Sequence, residues 1–160
     1  MSYAGRIGIF RPLRIRDFAL LWIGLAVSLT GDGIYIIAIA WQVLHMTNDP
    51  RALGLVGLAW ALPALPLLLF AGVLSDRVPR RHLMIAADVI RAIAIGAMGV
   101  LTISSSVRLW QLVGLAAVYG AGDALFGPAN SAIVPDLVPA EHLVEANSLA
   151  QFVRPFHFFW

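Results

Sequence analysis

The sequence predicts an all-α integral membrane protein that has four transmembrane helices and the start of a fifth. Of its 160 residues, 60% are hydrophobic and 12% are charged, and the mean hydropathy is +0.84. A soluble domain carries about twice that charged fraction, and a core of this size could not hide so much apolar surface. The excess must therefore face lipid. The apolar residues are also collected into long stretches that short, charged connections separate.

Four of these stretches are long enough to cross a bilayer, which takes about twenty helical residues. We expect spans at residues 18–43, 53–74, 83–103 and 109–134. A fifth segment begins near Leu143 and is too short before Trp160 to cross. The basic segment 1–17 does not begin a signal peptide, because the apolar run behind it is too long and no small-residue cleavage site closes it. The first span is therefore expected to remain in the mature protein.

Arginines in the short connections predict the orientation, because positive residues are retained on the cytoplasmic side. Seven lie on one side, in the N-terminal segment and the second loop: Arg6, Arg11, Arg14, Arg16, Arg77, Arg80 and Arg81. Only Arg51 and Arg108 lie in the first and third loops. We therefore expect a multi-pass protein of the cell membrane with a cytoplasmic N-terminus. The use of arginine without lysine, together with abundant Ala and Gly, is typical of a GC-rich bacterial coding sequence.

Several functional classes are not predicted. The arginines flank apolar spans and form no basic face with interleaved aromatic residues, so nucleic acid is not an expected partner. No nucleophile–base pair, metal cluster or phosphate-binding glycine loop is present, so an enzyme is not expected and no catalytic residue is assigned. Cysteine is absent, and the four histidines lack metal-ligand spacing: His45, His82, His142 and His157. Neither a metal site nor a cofactor is therefore expected.

Four charged residues lie within the apolar stretches: Asp32, Asp88, Arg91 and Asp123. Each costs about 2.5–3.5 kcal/mol at the centre of a bilayer, so each must face protein or water rather than lipid. Asp88 and Arg91 are three residues apart near the cytoplasmic end of one helix, and this spacing predicts an intramembrane ion pair. A structural role is favoured for this pair over substrate binding.

The two remaining aspartates lie on stripes of small and polar residues. The stripe of the first span contains Gly24, Ser28, Gly31, Asp32, Tyr35 and Gln42, and that of the fourth span contains Ala116, Gly120, Asp123, Gly127 and Asn130. Such stripes face the interior of a helix bundle. We predict that a substrate or proton path is lined by Asp32, Asp123, Tyr35, Gln42 and Asn130. The alternative stays open that both carboxylates only hydrogen-bond neighbouring helices and never titrate.

The loop between the second and third spans carries a family resemblance. It reads Gly72-Val73-Leu74-Ser75-Asp76-Arg77-Val78-Pro79-Arg80-Arg81. This pattern resembles the signature loop of the major facilitator superfamily: Gly, three residues, Asp, a basic residue, any residue, Gly and two basic residues. Pro79 stands where the family usually has glycine, and every charged position is kept.

The resemblance implies a gating role for this loop. Gly72 would permit close helix packing at the cytoplasmic gate, and Asp76 would pair with a helix of the opposite half of the transporter. A charge network there would include Arg77, Arg80, Arg81 and the acidic residue at the end of the fourth span, Asp136. Such ion pairs break when the two halves rock apart.

Further segments resemble the efflux-type branch, which includes siderophore and macrolide exporters. They are Phe10-Arg11-Pro12-Leu13, Arg16-Asp17-Phe18, Phe126-Gly127-Pro128-Ala129, Val134-Pro135-Asp136-Leu137-Val138-Pro139 and Ala146-Asn147-Ser148-Leu149. The implied fold is the amino-terminal six-helix half of a major facilitator transporter. The implied activity is proton-coupled export of small molecules or drugs. The implied partners are the lipid bilayer, a small-molecule substrate, protons and the missing remainder of the transporter.

The chain ends where the family shows its fifth-helix motif, so we expect residues 1–160 to be a truncated amino-terminal transmembrane domain, from truncation or frameshift. Four helices cannot enclose the cavity that two six-helix halves form, and transport by this segment alone is not expected. A non-transporting membrane scaffold or assembly partner is the main alternative. An oligomeric miniature exporter is a third possibility, which the loop between spans two and three disfavours because its partners belong to a second half.

Overall fold

The computed structural model describes residues 8–67 and 78–153, and these parts of the chain are helical with no β-strand. Within these ranges, the elements whose two ends are described are two short 3₁₀ segments, Gly8–Arg14 and Ala140–His142, and five α-helices. The α-helices are α1 Arg16–Thr47, α2 Pro50–Ala61, α3 Arg80–Ile103, α4 Leu109–Leu137 and α5 Leu143–Val153. The predicted all-α class is confirmed.

Four helical segments of the described residues are long and apolar enough to cross a membrane: Arg16–Thr47, Pro50–Leu67, Arg80–Ile103 and Leu109–Leu137. At about 1.5 Å per residue, the shortest reaches roughly 27 Å, close to the hydrocarbon thickness of a bilayer. Large apolar side chains lie on their outer surfaces, among them Val27, Leu65 and Val100, each about two-thirds exposed. In water this exposure would be costly, whereas acyl chains would solvate it. The four predicted transmembrane helices are confirmed.

The second of these segments is interrupted at Pro63. The regular helix α2 ends at Ala61, residues 62–63 form a turn, and helical conformation resumes at residues 64–67. A proline inside a helix has no N–H to donate, and its ring clashes with the carbonyl one turn earlier. The last hydrogen bond before the break runs from the Leu62 N–H to the Leu58 carbonyl, at 2.8 Å. The proline therefore divides this span into two helical pieces.

The tight connection between α1 and α2 follows from its residue types. Asn48 adopts a left-handed conformation with φ of 48°, which asparagine tolerates better than most residues at the end of a helix. The side chain of Asp49 then accepts a hydrogen bond from the Arg51 N–H at 2.9 Å, and Pro50 occupies the first turn of α2. Both are common helix-start features, so α2 begins immediately after α1 ends.

The chain forms two compact units. The first comprises residues 1–37 and 132–160, and the second comprises residues 38–131. Within the first unit, the indole N–H of Trp22 on α1 donates to the Leu149 carbonyl of α5 at 3.1 Å. The apolar core of this unit contains Phe18, Val134, Val138, Ala146 and Leu149, with Leu13, Ile15, Leu21, Trp22 and Leu143 packed around it.

Within the second unit, glycines let the helices approach α4 closely. A Cβ atom at Gly120 would overlap the backbone carbonyl oxygen of Trp60 and would lie 2.7 Å from its Cδ1 atom. A Cβ at Gly122 would lie 2.8 Å from Cγ of Arg91 and 3.0 Å from the Ala87 carbonyl oxygen. Small residues at these two positions therefore permit the close approach of α2 and α3 to α4, as in other membrane helix pairs.

Candidate functional site

Charged residues lie at the midpoints of two packed helices in the second unit. Arg91 is the twelfth of the 24 residues of α3, and Asp123 is the fifteenth of the 29 residues of α4. Arg91 is only 3% exposed. It lies deeper than the sequence had indicated, because α3 begins at Arg80 rather than at residue 83. A membrane helix centred on the bilayer would place both charges near its middle, where desolvation is greatest.

The guanidinium group of Arg91 lies between two carboxylates. Its Nη2 atom is 2.5 Å from Oδ1 of Asp88 on the same helix. Its Nη1 atom is 3.6 Å from Oδ1 of Asp123, across the boundary between α3 and α4. The first distance is that of a short, charge-assisted hydrogen bond, whereas the second is an ion pair beyond hydrogen-bonding distance. The contact between helices is therefore the weaker of the two.

Aromatic rings complete this site. The Cζ atom of Arg91 lies 4.6 Å from the ring centroid of Phe126 and 6.0 Å from that of Tyr119, within the range of cation–π attraction. Residues 119, 123 and 126 share one face of α4, because helical neighbours recur three and four residues apart. We call Asp88, Arg91, Tyr119, Asp123 and Phe126 the Arg91 cluster. It surrounds the weakly hydrated guanidinium with two carboxylates and two aromatic rings.

The carboxylates of the Arg91 cluster are more accessible than its guanidinium. The side chain of Arg91 is 4% exposed, whereas those of Asp123 and Asp88 are 33% and 47% exposed. An ionised carboxylate is not stable against lipid, so the exposed parts of both must face water or further protein. The arginine between the two aspartates is shielded from both water and lipid.

Asp32 lies on the buried line of α1, in the first unit. It is the seventeenth of the 32 residues of this helix and is 3% exposed, and Tyr35 is 8% exposed. Phe18 and Leu25 precede Asp32 at seven-residue intervals and are also buried. Two glycines that directly precede Leu25 and Asp32 in the sequence are exposed, with open space at the Cβ position: Gly24 and Gly31. They are turned about 100° away, so the buried face centres on Asp32 rather than on the glycines.

The other residues of the predicted path lie in the second unit. Gln42 is partly buried, and Asn130 is 5% exposed. The Oδ1 atom of Asn130 has no hydrogen-bond partner among the described residues. Buried amide oxygens normally have one, so this oxygen is suited to accept a bond from a substrate or from water. A path shared by Asp32, Tyr35, Gln42, Asp123 and Asn130 stays a prediction.

The predicted gating motif is only partly described by the structure. Gly72, Asp76 and Arg77 lie outside the described residues. Arg80 begins α3 and is partly buried, while Arg81 is exposed. Asp136 is exposed, one residue before the end of α4. Among the side chains that the structure describes, no group of three could hold a metal ion.

Sequence reasoning missed the contact of Arg91 with Asp123 and its two aromatic partners. A signal for it was present, because an arginine and an aspartate lie within two successive apolar stretches. Successive helices joined by a short loop run antiparallel and usually pack together. A glycine beside the aspartate, Gly122, also marks a point of close approach.

Apolar spans with charged groups buried at their midpoints define a polytopic membrane transporter. A profile of the family described as transmembrane secretion effectors matches residues 7–153. The chain therefore belongs to this family of efflux transporters within the major facilitator superfamily.

Three curated relatives illustrate the match. Macrolide efflux protein A of Streptococcus pyogenes is 30% identical over 137 residues, which are 86% of this chain and 34% of that protein. The multidrug efflux pump Tap of Mycolicibacterium fortuitum is 31% identical over 128 residues, 80% of this chain and 30% of the pump. The uncharacterised major facilitator transporter YfiS of Bacillus subtilis is 29% identical over 131 residues, 79% of this chain and 30% of that protein.

The chain spans about a third of the length of the curated relatives that it matches. No solved structure matches it significantly.

Proposed function

We propose that this chain forms the amino-terminal helices of a proton-coupled exporter of small-molecule drugs. The observation that carries the proposal is the match of residues 7–153 to an efflux family. The relatives' names supply the candidate substrates, because one relative is a macrolide efflux protein and another a multidrug efflux pump. Macrolides are therefore the first compounds to test.

Proton coupling is supported by a carboxylate buried in the middle of a membrane helix. Asp32 is 3% exposed at the midpoint of α1. We infer that this carboxylate exchanges a proton against a substrate as the site opens to either side of the membrane. Asp123 is a second carboxylate at a comparable position, but it already forms an ion pair with Arg91. Asp32 is therefore our choice for the proton carrier.

The function can be tested by drug accumulation in a bacterial strain that lacks its own exporters. One plasmid would encode residues 1–160 alone, and a second would encode the reading frame together with its natural downstream DNA. We expect residues 1–160 alone to leave accumulation unchanged, because relatives of about three times this length form the efflux proteins. We expect the longer product to lower macrolide accumulation, and a protonophore to reverse this.

Export by residues 1–160 alone would contradict the expected dependence on further helices. A longer product that is inserted in the membrane but exports no compound would favour the scaffold alternative. Export that persists in the presence of the protonophore would contradict proton coupling but not export itself.

The proposed orientation places the N-terminus and the segment before α3 in the cytoplasm. The chain contains no cysteine, so single cysteines can be introduced without a background. Arg81 and Arg108 are both exposed; Arg81 lies in the first turn of α3, and Arg108 lies in the connection that follows the other end of α3. In intact cells, a membrane-impermeant maleimide is expected to label Arg108→Cys, and to label Arg81→Cys only after permeabilisation. Labelling of Arg81→Cys from outside the cell would refute this orientation.

A further inference from the structure

The short 3₁₀ segment before α1 carries its polar and apolar side chains on separate edges. A 3₁₀ helix has three residues per turn, so side chains three apart are eclipsed. In Gly8–Arg14 this places Arg11 above Arg14 on one edge, and both are exposed. Phe10 and Leu13 form a second edge, and Pro12 faces inward on the third, where it is fully buried.

The segment is fixed to the protein by its apolar side chains. Leu13 and Ile15 pack against the core of the first unit, which includes Phe18 of α1 and Leu149 of α5. The Ile15 N–H also donates to the Pro12 carbonyl at 3.0 Å, which links the segment directly to the start of α1. The segment is therefore held by packing, and its arginine edge remains on the outer surface.

The outer edge is strongly cationic. Arg11, Arg14 and Arg16 are all exposed within six residues of sequence, and Asp17 is the one acidic residue beside them. None of the three arginines forms an ion pair with a residue that the structure describes. Phe10 lies next to them with 59% of its surface exposed. A guanidinium edge beside an exposed aromatic ring suits the boundary between lipid headgroups and acyl chains.

The position of the segment identifies the partner. It directly precedes Arg16, the first residue of a helix long enough to span the membrane, so it lies at the level of the headgroups. Guanidinium groups bind phosphate oxygens in a bidentate manner. We propose that residues 10–16 bind anionic phospholipid headgroups, with Arg11 and Arg14 on the phosphates and Phe10 inserted at the interface. This requires α1 to span the membrane but does not depend on the exported substrate or on proton coupling.

The test compares two double variants of equal net charge in the full chain. Arg11→Gln/Arg14→Gln removes the proposed contacts, and Arg51→Gln/Arg108→Gln removes two exposed arginines that lie elsewhere in the chain. Each purified protein would be titrated in detergent with phosphatidylglycerol or with phosphatidylcholine. Intrinsic tryptophan fluorescence would follow the rise in melting temperature and give an apparent affinity for each lipid.

We expect the unaltered chain to prefer phosphatidylglycerol, because each arginine at an anionic surface adds about fivefold in affinity. The Arg11→Gln/Arg14→Gln variant should lose roughly 25-fold of this preference. The Arg51→Gln/Arg108→Gln variant should change by less than twofold. The preference should also decrease at high salt, since exposed charges are screened. Arg11→Lys/Arg14→Lys should keep most of it, which separates loss of charge from misfolding.

Three outcomes would overturn the proposal. Equal losses in the two glutamine variants would mean that only net charge matters. Equal affinity of the unaltered chain for both lipids would mean that no anionic site exists. Inorganic phosphate that raises the melting temperature as effectively as phosphatidylglycerol would mean that the arginines bind free anions rather than a lipid surface. Transport does not enter any of these measurements, so they are independent of the proposed function.

Discussion

Replacing Asp32 with asparagine is expected to abolish proton-driven drug export while leaving membrane insertion normal. Asparagine has nearly the same shape as aspartate but carries no exchangeable proton at neutral pH. Because Asp32 is 3% exposed, bulk water cannot readily replace the missing carboxylate. The measurement is drug uptake into inverted vesicles that contain the whole transporter, energised by an imposed pH gradient, with the amount of inserted protein determined in the same membranes.

A matched control and a second readout make this result specific. Glu141→Gln is the same type of substitution at a side chain that is 78% exposed, and it should leave export unchanged. Exchange of labelled for unlabelled drug without a pH gradient should persist in Asp32→Asn, because it requires the binding site but no net proton movement. Proton-driven export that continues at the normal rate in Asp32→Asn would exclude this residue as the proton carrier.

Replacing Arg91 with methionine is expected to cause the largest loss of stability in the described part of the chain. Methionine preserves much of the side-chain volume but leaves the carboxylates of Asp88 and Asp123 without the guanidinium between them. Removing one partner of a fully buried ion pair costs about 3–5 kcal/mol. Because Asp88 is 47% exposed, we expect about 2–3 kcal/mol here. Unfolding by denaturing detergent, followed by circular dichroism, would measure the loss.

Two further variants test whether the loss comes from the ion pairs. Arg108→Met makes the same substitution at an exposed arginine of a connection and should change stability by less than about 0.5 kcal/mol. Adding Asp123→Asn to Arg91→Met should restore part of the stability, because it removes one of the two carboxylate charges that lose the guanidinium. Asp123→Asn must also be measured alone. If it lowers the stability of Arg91→Met by as much as it lowers that of the unaltered chain, the two side chains are not coupled.

The helical class and the four spans could be predicted because lipid demands long, uniformly apolar helices. The boundaries within the second span were less predictable. Its apolar run suggested a start at residue 53, whereas α2 begins at Pro50 because Asp49 caps it. Hydropathy averages over many residues and does not register one hydrogen bond to a side chain. For the same reason, it does not show that Pro63 divides the span.

Within the site, local spacing predicted one contact and could not predict the other. Asp88 and Arg91 are three residues apart, and helical geometry alone brings them together, as the 2.5 Å distance shows. The contact of Arg91 with Asp123 depends on the rotation and depth of α3 relative to α4. This rotation and depth depend on how side chains of the two helices pack around Gly122. The residue pattern of one helix does not predict that packing.

The Trp60 carbonyl rests directly on Gly120, and this prevents α2 from sliding along α4. A shift of one turn in either direction would bring Ala116 or Ala124 under that carbonyl, and the methyl group of either would collide with it. The next glycine on this face is Gly127, two turns or about 10 Å away. Sliding of the Trp60 segment along α4 is therefore sterically opposed over the neighbouring turn in either direction.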